Sequence, residues 1–212
     1  MAETSVPDEG PIARSPIRPV APVGVHSGWE VSTLRSHAPL RLADRTPLAK
    51  VLVRAAPDGA LADRLGAPFG RARHDEYGTL VIGSGPDEWL LLAAPGTAAE
   101  VVSGAAVDTD GFVSVLDLTH GRALVRLTGP AAARTLNKLC AIDLSDRVTP
   151  DGTAFRSSVA KLATDVVRDD FDGTRSYLLH CERSSGQYLF DVLLDAGREF
   201  GIEPDGFAYP EA

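Results

Sequence analysis

Short apolar runs with strand periodicity alternate with short amphipathic helical patterns from about residue 30 onward in this chain. The order strand, strand, helix occurs twice, around residues 77–104 and again around residues 163–200, with further strands and a helix between them. Because each helix must bury its apolar stripe on a sheet, this order predicts an α+β fold of two small helix-on-sheet lobes, with antiparallel or mixed sheets. We expect residues 28–212 to form one domain of two subdomains.

The first lobe is predicted from a hairpin followed by a helix. Segments 77–82 and 88–92 have strand composition, and the glycines and proline between them favour chain reversal. A helix is expected from about Thr97, since Thr97 and Glu100 have the spacing of a capping box. Two further strands are predicted at 112–118 and 123–127, and a helix at 129–140. A second hairpin is predicted from the segments 163–168 and 175–181, and a final helix at 186–200.

The N-terminal 27 residues differ in composition from the rest of the chain. They include five prolines among small and charged residues, and therefore offer little apolar surface to bury. We expect residues 1–27 to be a disordered or extended arm, and we expect the fold to survive removal of residues 1–22. The favoured role is a solubilising leader, and the alternative is a segment that becomes ordered against a partner.

The charge balance argues against nucleic-acid or membrane-surface binding. The chain has 29 acidic and 21 basic side chains, a formal net charge of -8, whereas phosphate-binding surfaces are basic. No apolar run approaches the roughly 18 residues of a membrane span, and the start of the chain lacks the apolar stretch of a secretory signal. These features predict a cytoplasmic protein.

Metal and dinucleotide sites are not expected. The five histidines lack the mutual spacing of metal ligands, and the segment 83–86 lacks the glycine spacing and following helix of a phosphate-binding loop. Cys140 and Cys181 each lie in an apolar pattern, so both are interpreted as small buried hydrophobic residues. His180 lies on a predicted strand and is interpreted as a histidine on the sheet surface.

Three polar residues meet where a predicted strand ends. Asp117, Thr119 and His120 follow an apolar segment and precede Gly121. The favoured interpretation is turn chemistry, in which Asp117 and Thr119 hydrogen-bond nearby backbone amides.

Two further charged residues are candidates for ligand binding. Asp165 interrupts an apolar predicted strand, either as a solvated edge residue or as a pocket carboxylate that orients a ligand amine. Arg183 precedes the last predicted helix, where its guanidinium and nearby free amides suit an anion. The serines that follow Arg183 are equally suited to capping that helix.

Several ordered motifs resemble one protein family. Residues 116–130 have the sequence LDLTHGRALVRLTGP, and residues 139–144 have the sequence LCAIDL. Both segments are similar to the aminomethyltransferases, the folate-binding T-proteins of glycine cleavage. Together with GPDEWLLL at 85–92 and RSSGQYLFDVLLDAGREFG at 183–201, they resemble the γ subunits of heterotetrameric sarcosine oxidases.

The resemblance implies a fold like the aminomethyltransferase folate-binding domain and membership of an αβγδ complex. Such a complex oxidises sarcosine with oxygen to glycine and hydrogen peroxide, and it passes the one-carbon unit to tetrahydrofolate as 5,10-methylenetetrahydrofolate. FAD, FMN, NAD, tetrahydrofolate and zinc are then held by other subunits, none by this chain, and the γ chain contacts chiefly α, together with β and δ. No catalytic residue and no metal ligand is expected in this chain.

The resemblance also implies that a folate pocket has been lost. Asp165 falls near a position where aminomethyltransferases have a pair of acidic residues, but Thr164 precedes it here. Asp117, Thr119, His120, Asp165 and Arg183 are the candidates for any residual pocket. The alternative functions are a free-standing folate-dependent one-carbon transferase and a folate-binding regulatory protein.

Overall fold

The computed structural model describes residues 11–107 and 111–209. The helices in these ranges are α1 (Ala60–Leu65), α2 (Ala98–Ala105), α3 (Ala132–Leu136) and α4 (Gly186–Gly197). The strands in the same ranges are β1 (Ala13–Arg14), β2 (Val23–His26), β3 (Trp29–Ser32), β4 (Leu40–Asp44), β5 (Ala49–Ala55), β6 (Ala72–His74), β7 (Leu80–Gly85), β8 (Glu88–Ala93), β9 (Val113–Asp117), β10 (Arg122–Thr128), β11 (Ala154–Val159), β12 (Leu162–Arg168), β13 (Ser176–Glu182) and β14 (Ile202–Asp205). None of the helices in this described part is long and apolar enough to cross a membrane.

Two sheets dominate the described ranges. One has five strands in the order β6-β7-β8-β5-β9, and the other has six in the order β11-β12-β13-β10-β4-β14. Strands β4 and β10 are antiparallel neighbours in the second sheet, although the whole first sheet lies between them in sequence. The first lobe is therefore an insertion between two adjacent strands of the second lobe.

The sheets and helices pack in four layers. Helices α1 and α2 cover the outer face of the five-stranded sheet, with Val51, Val53 and Leu91 in that core. Helices α3 and α4 cover the outer face of the six-stranded sheet, where Leu127 and Leu179 are buried. The inner faces of the two sheets meet in a third cluster. This arrangement confirms the predicted α+β fold of two helix-on-sheet lobes.

The region from residue 11 to residue 27 is extended, as one of the two predictions for the arm allowed, but it packs against the rest of the chain. Strand β1 pairs parallel with β3, and β2 pairs antiparallel with the same strand. Ile17 is 1% exposed and packs into the core beside α4. Burial of Ile17 and the backbone hydrogen bonds with β3 contribute to holding this segment, despite its polar composition. The part of the predicted arm from 1 to 10 lies outside the described residues.

The predicted hairpins 77–92 and 163–181 are confirmed, with strand bounds shifted by a few residues. The prediction of a capping box at Thr97 was wrong. Its hydroxyl donates to the Ala94 carbonyl oxygen at 2.9 Å, so it does not cap α2. The helix predicted at 129–140 is reduced to the five residues of α3.

Candidate functional site

Polar side chains meet at the turn between β9 and β10, as the sequence predicted. The Asp117 Oδ1 atom accepts a hydrogen bond from the Thr119 backbone N–H at 2.8 Å. The hydroxyl oxygen of Thr119, which is buried, accepts from the backbone N–H of Lys50 in β5 at 3.0 Å. Both side chains therefore stabilise the backbone of the turn, in agreement with turn chemistry.

His120 and Arg183 hold the N-terminal strands onto this turn. The exposed His120 ring stacks on Trp29 of β3, with ring centroids 4.8 Å apart and planes 9° apart. The Arg183 guanidinium donates to the Arg14 carbonyl oxygen at 2.6 Å and to the His120 carbonyl oxygen at 3.4 Å. Arg183 is thus engaged by backbone carbonyls of the chain itself, which differs from the anion-binding role considered from the sequence.

A buried lysine lies beneath the same turn. Lys50 is 0% exposed, and its Nζ atom donates to the carbonyl oxygens of Thr46 at 2.6 Å and Leu48 at 2.7 Å. Burial lowers the pKa of Lys50 to about 7, against the attraction of Asp44 and Asp117. We call the region of Asp117, Thr119, His120, Arg183, Trp29 and Lys50 the closed end.

Asp165 lies elsewhere, in a row of residues that crosses the six-stranded sheet. Arg156 of β11, Asp165 of β12 and His180 of β13 are registered neighbours on three adjacent strands. The Arg156 Nε atom donates to Asp165 Oδ1 at 2.5 Å, and its Nη2 atom to Oδ2 at 3.2 Å. The His180 Nδ1 atom lies 3.3 Å from Asp165 Oδ2. Asp165 is therefore paired with a cation and an imidazole on an interior strand, and it is not the solvated edge residue considered from the sequence.

Asp165 and His180 line a cavity of about 150 Å³ between the two sheets. We call it the interlayer cavity. Its apolar walls come from both sheets and consist of Leu52, Ile82, Leu90, Leu92, Leu118, Leu124, Val167 and Leu178. Its polar lining consists of Arg54, Ser84, Glu88, Arg122, Arg156, Asp165 and His180. It combines apolar walls with convergent polar groups, as small-molecule sites do.

The protonation states in the cavity follow from burial and pairing. Burial lowers the pKa of His180 below its usual range, and the hydrogen bond to Asp165 opposes this effect only in part. Burial raises the pKa of Asp165, but the hydrogen bonds from His180 and Arg156 outweigh it, so the pKa lies below its usual range. At neutral pH the pair is therefore a carboxylate beside a neutral imidazole.

His180 was wrongly predicted to be on the sheet surface. The alternation along β13 does direct it away from Leu179 and Cys181, but that side of the six-stranded sheet faces the five-stranded sheet, and His180 is 5% exposed. Cys140 and Cys181 are buried free thiols, as predicted. Among the described residues no group of three or more histidine, cysteine, aspartate or glutamate side chains is placed to hold a metal ion.

Known proteins are similar to this chain over most of its length. A family model described as the GCVT N-terminal domain matches residues 76–209. A sarcosine oxidase subunit gamma from Corynebacterium sp. (strain P-1) is 34% identical over 165 residues, which cover 73% of this chain and 78% of that protein. The chain belongs to the family of sarcosine oxidase γ subunits. A second γ subunit, from Corynebacterium sp. (strain U-96), is 29% identical over 209 residues, which cover 94% of this chain and 97% of that protein.

A solved structure supports the γ-subunit assignment, and an aminomethyltransferase is similar to part of this chain. The heterotetrameric sarcosine oxidase from Corynebacterium sp. U-96, solved in complex with pyrrole 2-carboxylate, contains a chain that matches with a TM-score of 0.66 at 29% identity. The match covers 78% of this chain and 88% of that one. An aminomethyltransferase from Geobacillus thermodenitrificans is 32% identical over 127 residues, but the matched part is only 34% of its length.

In this γ-subunit fold the five predicted residues separate into two groups. Four of them lie at the closed end, and Asp165 lines the interlayer cavity. Sequence reasoning missed Lys50 and Arg156, and it assigned the wrong environment to His180. One available signal was a lysine inside the apolar run 48–53. The other was that hairpin pairing of the strands places Arg156, Asp165 and His180 opposite one another.

Proposed function

We propose that this chain is a non-catalytic γ subunit of a heterotetrameric sarcosine oxidase. In this proposal it assembles chiefly with the α subunit, together with β and δ, in the cytoplasm. The assembled enzyme oxidises sarcosine to glycine, releases hydrogen peroxide and passes the one-carbon unit to tetrahydrofolate. The observation that carries the proposal is the similarity to a γ subunit over 94% of this chain and 97% of that protein.

The geometry of the closed end supports a structural role. Asp117, Thr119 and Arg183 each hydrogen-bond backbone groups of this chain. A catalytic acid or base must instead reach the proton of a bound substrate. In this proposal FAD, FMN, NAD, tetrahydrofolate and zinc are held by other subunits, and this chain binds no cofactor.

Co-expression tests the proposal directly. An affinity tag on this chain, expressed with the α, β and δ subunits of the same source, is expected to recover a flavin-containing complex that forms peroxide from sarcosine. The chain expressed alone is expected to be colourless and inactive. Failure of the tagged chain to recover the other subunits would contradict the proposal.

Variants at the closed end separate a structural subunit from a catalytic one. We predict that Asp117→Asn with His120→Ala, made together in the assembled complex, changes sarcosine turnover by no more than about three-fold. Loss of a general acid or base costs about 100-fold or more. Turnover is measured with tetrahydrofolate present, on complexes whose subunit stoichiometry is confirmed by gel filtration.

A loss of two orders of magnitude in a fully assembled complex would contradict the non-catalytic role and favour a folate-dependent transferase. Binding of tetrahydrofolate to the isolated chain, measured by calorimetry, would favour the same alternative or a folate-binding regulator.

A further inference from the structure

One buried polar atom in the interlayer cavity has no partner. The Nε2 atom of His180 is buried and lacks a hydrogen bond to any of the described residues. A buried polar atom left without a partner costs about 1–3 kcal/mol. Such an atom in a lined cavity is satisfied when a bound molecule supplies the missing group.

The rest of the network fixes what that group must be. Asp165 is held as a carboxylate by Arg156, and the Nδ1 atom of His180 lies 3.3 Å from its Oδ2 atom. A carboxylate only accepts hydrogen bonds, so the proton of the neutral imidazole is on Nδ1. Nε2 then carries a lone pair, and its partner must be an N–H or O–H donor.

The charges around the cavity favour an uncharged ligand. Arg54 pairs with Glu88 at 2.6 Å, and Arg122 pairs with Glu182 at 2.5 Å. Asp165 pairs with Arg156 at 2.5 Å. Every charged side chain in the lining thus has a partner of opposite charge, so an ionic ligand would have to displace one of these pairs.

The size and walls of the cavity set the remaining properties. A volume of about 150 Å³ is large for one water, whose share of the liquid is about 30 Å³, and an apolar cavity of about this size can accept a benzene ring. Leucines of both sheets, including Leu52, Leu90 and Leu178, form the walls. We propose that the interlayer cavity binds a small, uncharged ring compound that donates one N–H or O–H hydrogen bond to His180 Nε2.

Phenol and toluene are matched probes, because they differ by a hydroxyl in place of a methyl group. Binding of each to the full chain is measured by calorimetry. Phenol is expected to bind at least about ten-fold more tightly than toluene, since one satisfied buried acceptor is worth about that factor. Equal binding of the two probes, or binding of neither, would overturn the proposal; the second result would mean that the cavity holds only water.

A matched pair of variants locates the hydrogen bond. His180→Phe keeps a ring but removes the acceptor, so the preference for phenol over toluene should fall to about two-fold or less. His120→Phe, at the exposed stacked histidine of the closed end, should keep the ten-fold preference. A preference retained by folded His180→Phe would overturn the proposal.

A spectroscopic measurement on the unmodified chain remains decisive if His180→Phe does not fold. Phenol should shift the nitrogen-15 resonance of His180 Nε2, while toluene leaves it nearly unchanged. Phenol binding that leaves this resonance in place would show that the ring does not receive the hydrogen bond. The cavity experiment needs no partner subunit, so its outcome is independent of the test of complex assembly.

Discussion

The closed end and the interlayer cavity both contain buried polar groups, but the partners of their hydrogen bonds differ. At the closed end, Lys50 Nζ donates to two carbonyl oxygens, and Thr119 accepts from a backbone amide. In the cavity, Asp165 binds other side chains, and His180 keeps one atom without a partner among the described residues. The buried polar groups named at the closed end therefore have partners within the chain, whereas His180 Nε2 in the cavity has none among the described residues.

This difference separates two uses of the same kinds of residue. Polar side chains that hydrogen-bond backbone carbonyl and amide groups stabilise the conformation of the backbone, because those backbone groups need partners when they are buried. Polar side chains that hydrogen-bond other side chains and line a cavity are held in a fixed orientation toward that cavity. We therefore assign the closed end to the fold and the cavity to binding.

The largest expected effect is the loss of the N-terminal segment. Deletion of residues 1–22 removes Ile17 from the core, the Arg14 carbonyl from Arg183 and the Arg18 backbone N–H from Gln187. Burial of one isoleucine and the cavity left behind account for about 2–4 kcal/mol, and each lost hydrogen bond adds about 1 kcal/mol, so the free energy of unfolding should fall by about 4 kcal/mol or more. Urea unfolding of the isolated chain measures it, with Ile17→Ala as the smaller matched change. An unchanged midpoint would mean that the N-terminal segment does not stabilise the fold.

The sequence predicted the local parts of this comparison well. The hairpin of β12 and β13 follows from a turn between two apolar runs, and it brings Asp165 and His180 to adjacent strands. The turn hydrogen bond of Asp117 follows from its position two residues before Thr119. Each of these features depends on neighbours in sequence, which local patterns describe.

The features that the sequence did not predict depend on distant contacts. The packing of the second sheet over the first buries His180, and no residue near it in sequence indicates that layer. Composition suggested an arm at the N-terminus, because an average over 27 residues hides the single side chain of Ile17. Burial of Lys50 likewise depends on carbonyl oxygens that only the folded chain brings together.

A second prediction compares the two aspartates. Asp165→Asn should lower the free energy of unfolding by about 2 kcal/mol, because Arg156 and the His180 N–H lose their carboxylate in a partly buried site. Asp117→Asn should lower it by less than about 0.5 kcal/mol, because an amide oxygen can still accept from the Thr119 backbone N–H. Chemical denaturation at neutral pH measures both. Equal effects of the two substitutions would remove the distinction between a charged cavity pair and a turn.

The last prediction uses the two buried bases: Lys50 Nζ donates to two carbonyl oxygens, whereas His180 Nε2 has no partner among the described residues. Burial lowers the pKa of Lys50 to about 7 in the folded chain, while in the unfolded chain it keeps its usual value of 10.5. Between these values the unfolded chain binds more protons, so the contribution of Lys50 to stability rises with pH. The slope approaches about 1.4 kcal/mol per pH unit, which gives about 1.5 kcal/mol between pH 7.0 and 8.5.

Lys50→Met removes this titration and keeps the length and apolar stem of the side chain. The free energy of unfolding of the unmodified chain, minus that of Lys50→Met, should therefore increase by about 1.5 kcal/mol from pH 7.0 to 8.5. Other groups titrate in both proteins and cancel in the difference. A difference that stays constant would mean that Lys50 keeps its charge in the folded chain, and that the carbonyl oxygens of Thr46 and Leu48 hold an ammonium group at the closed end.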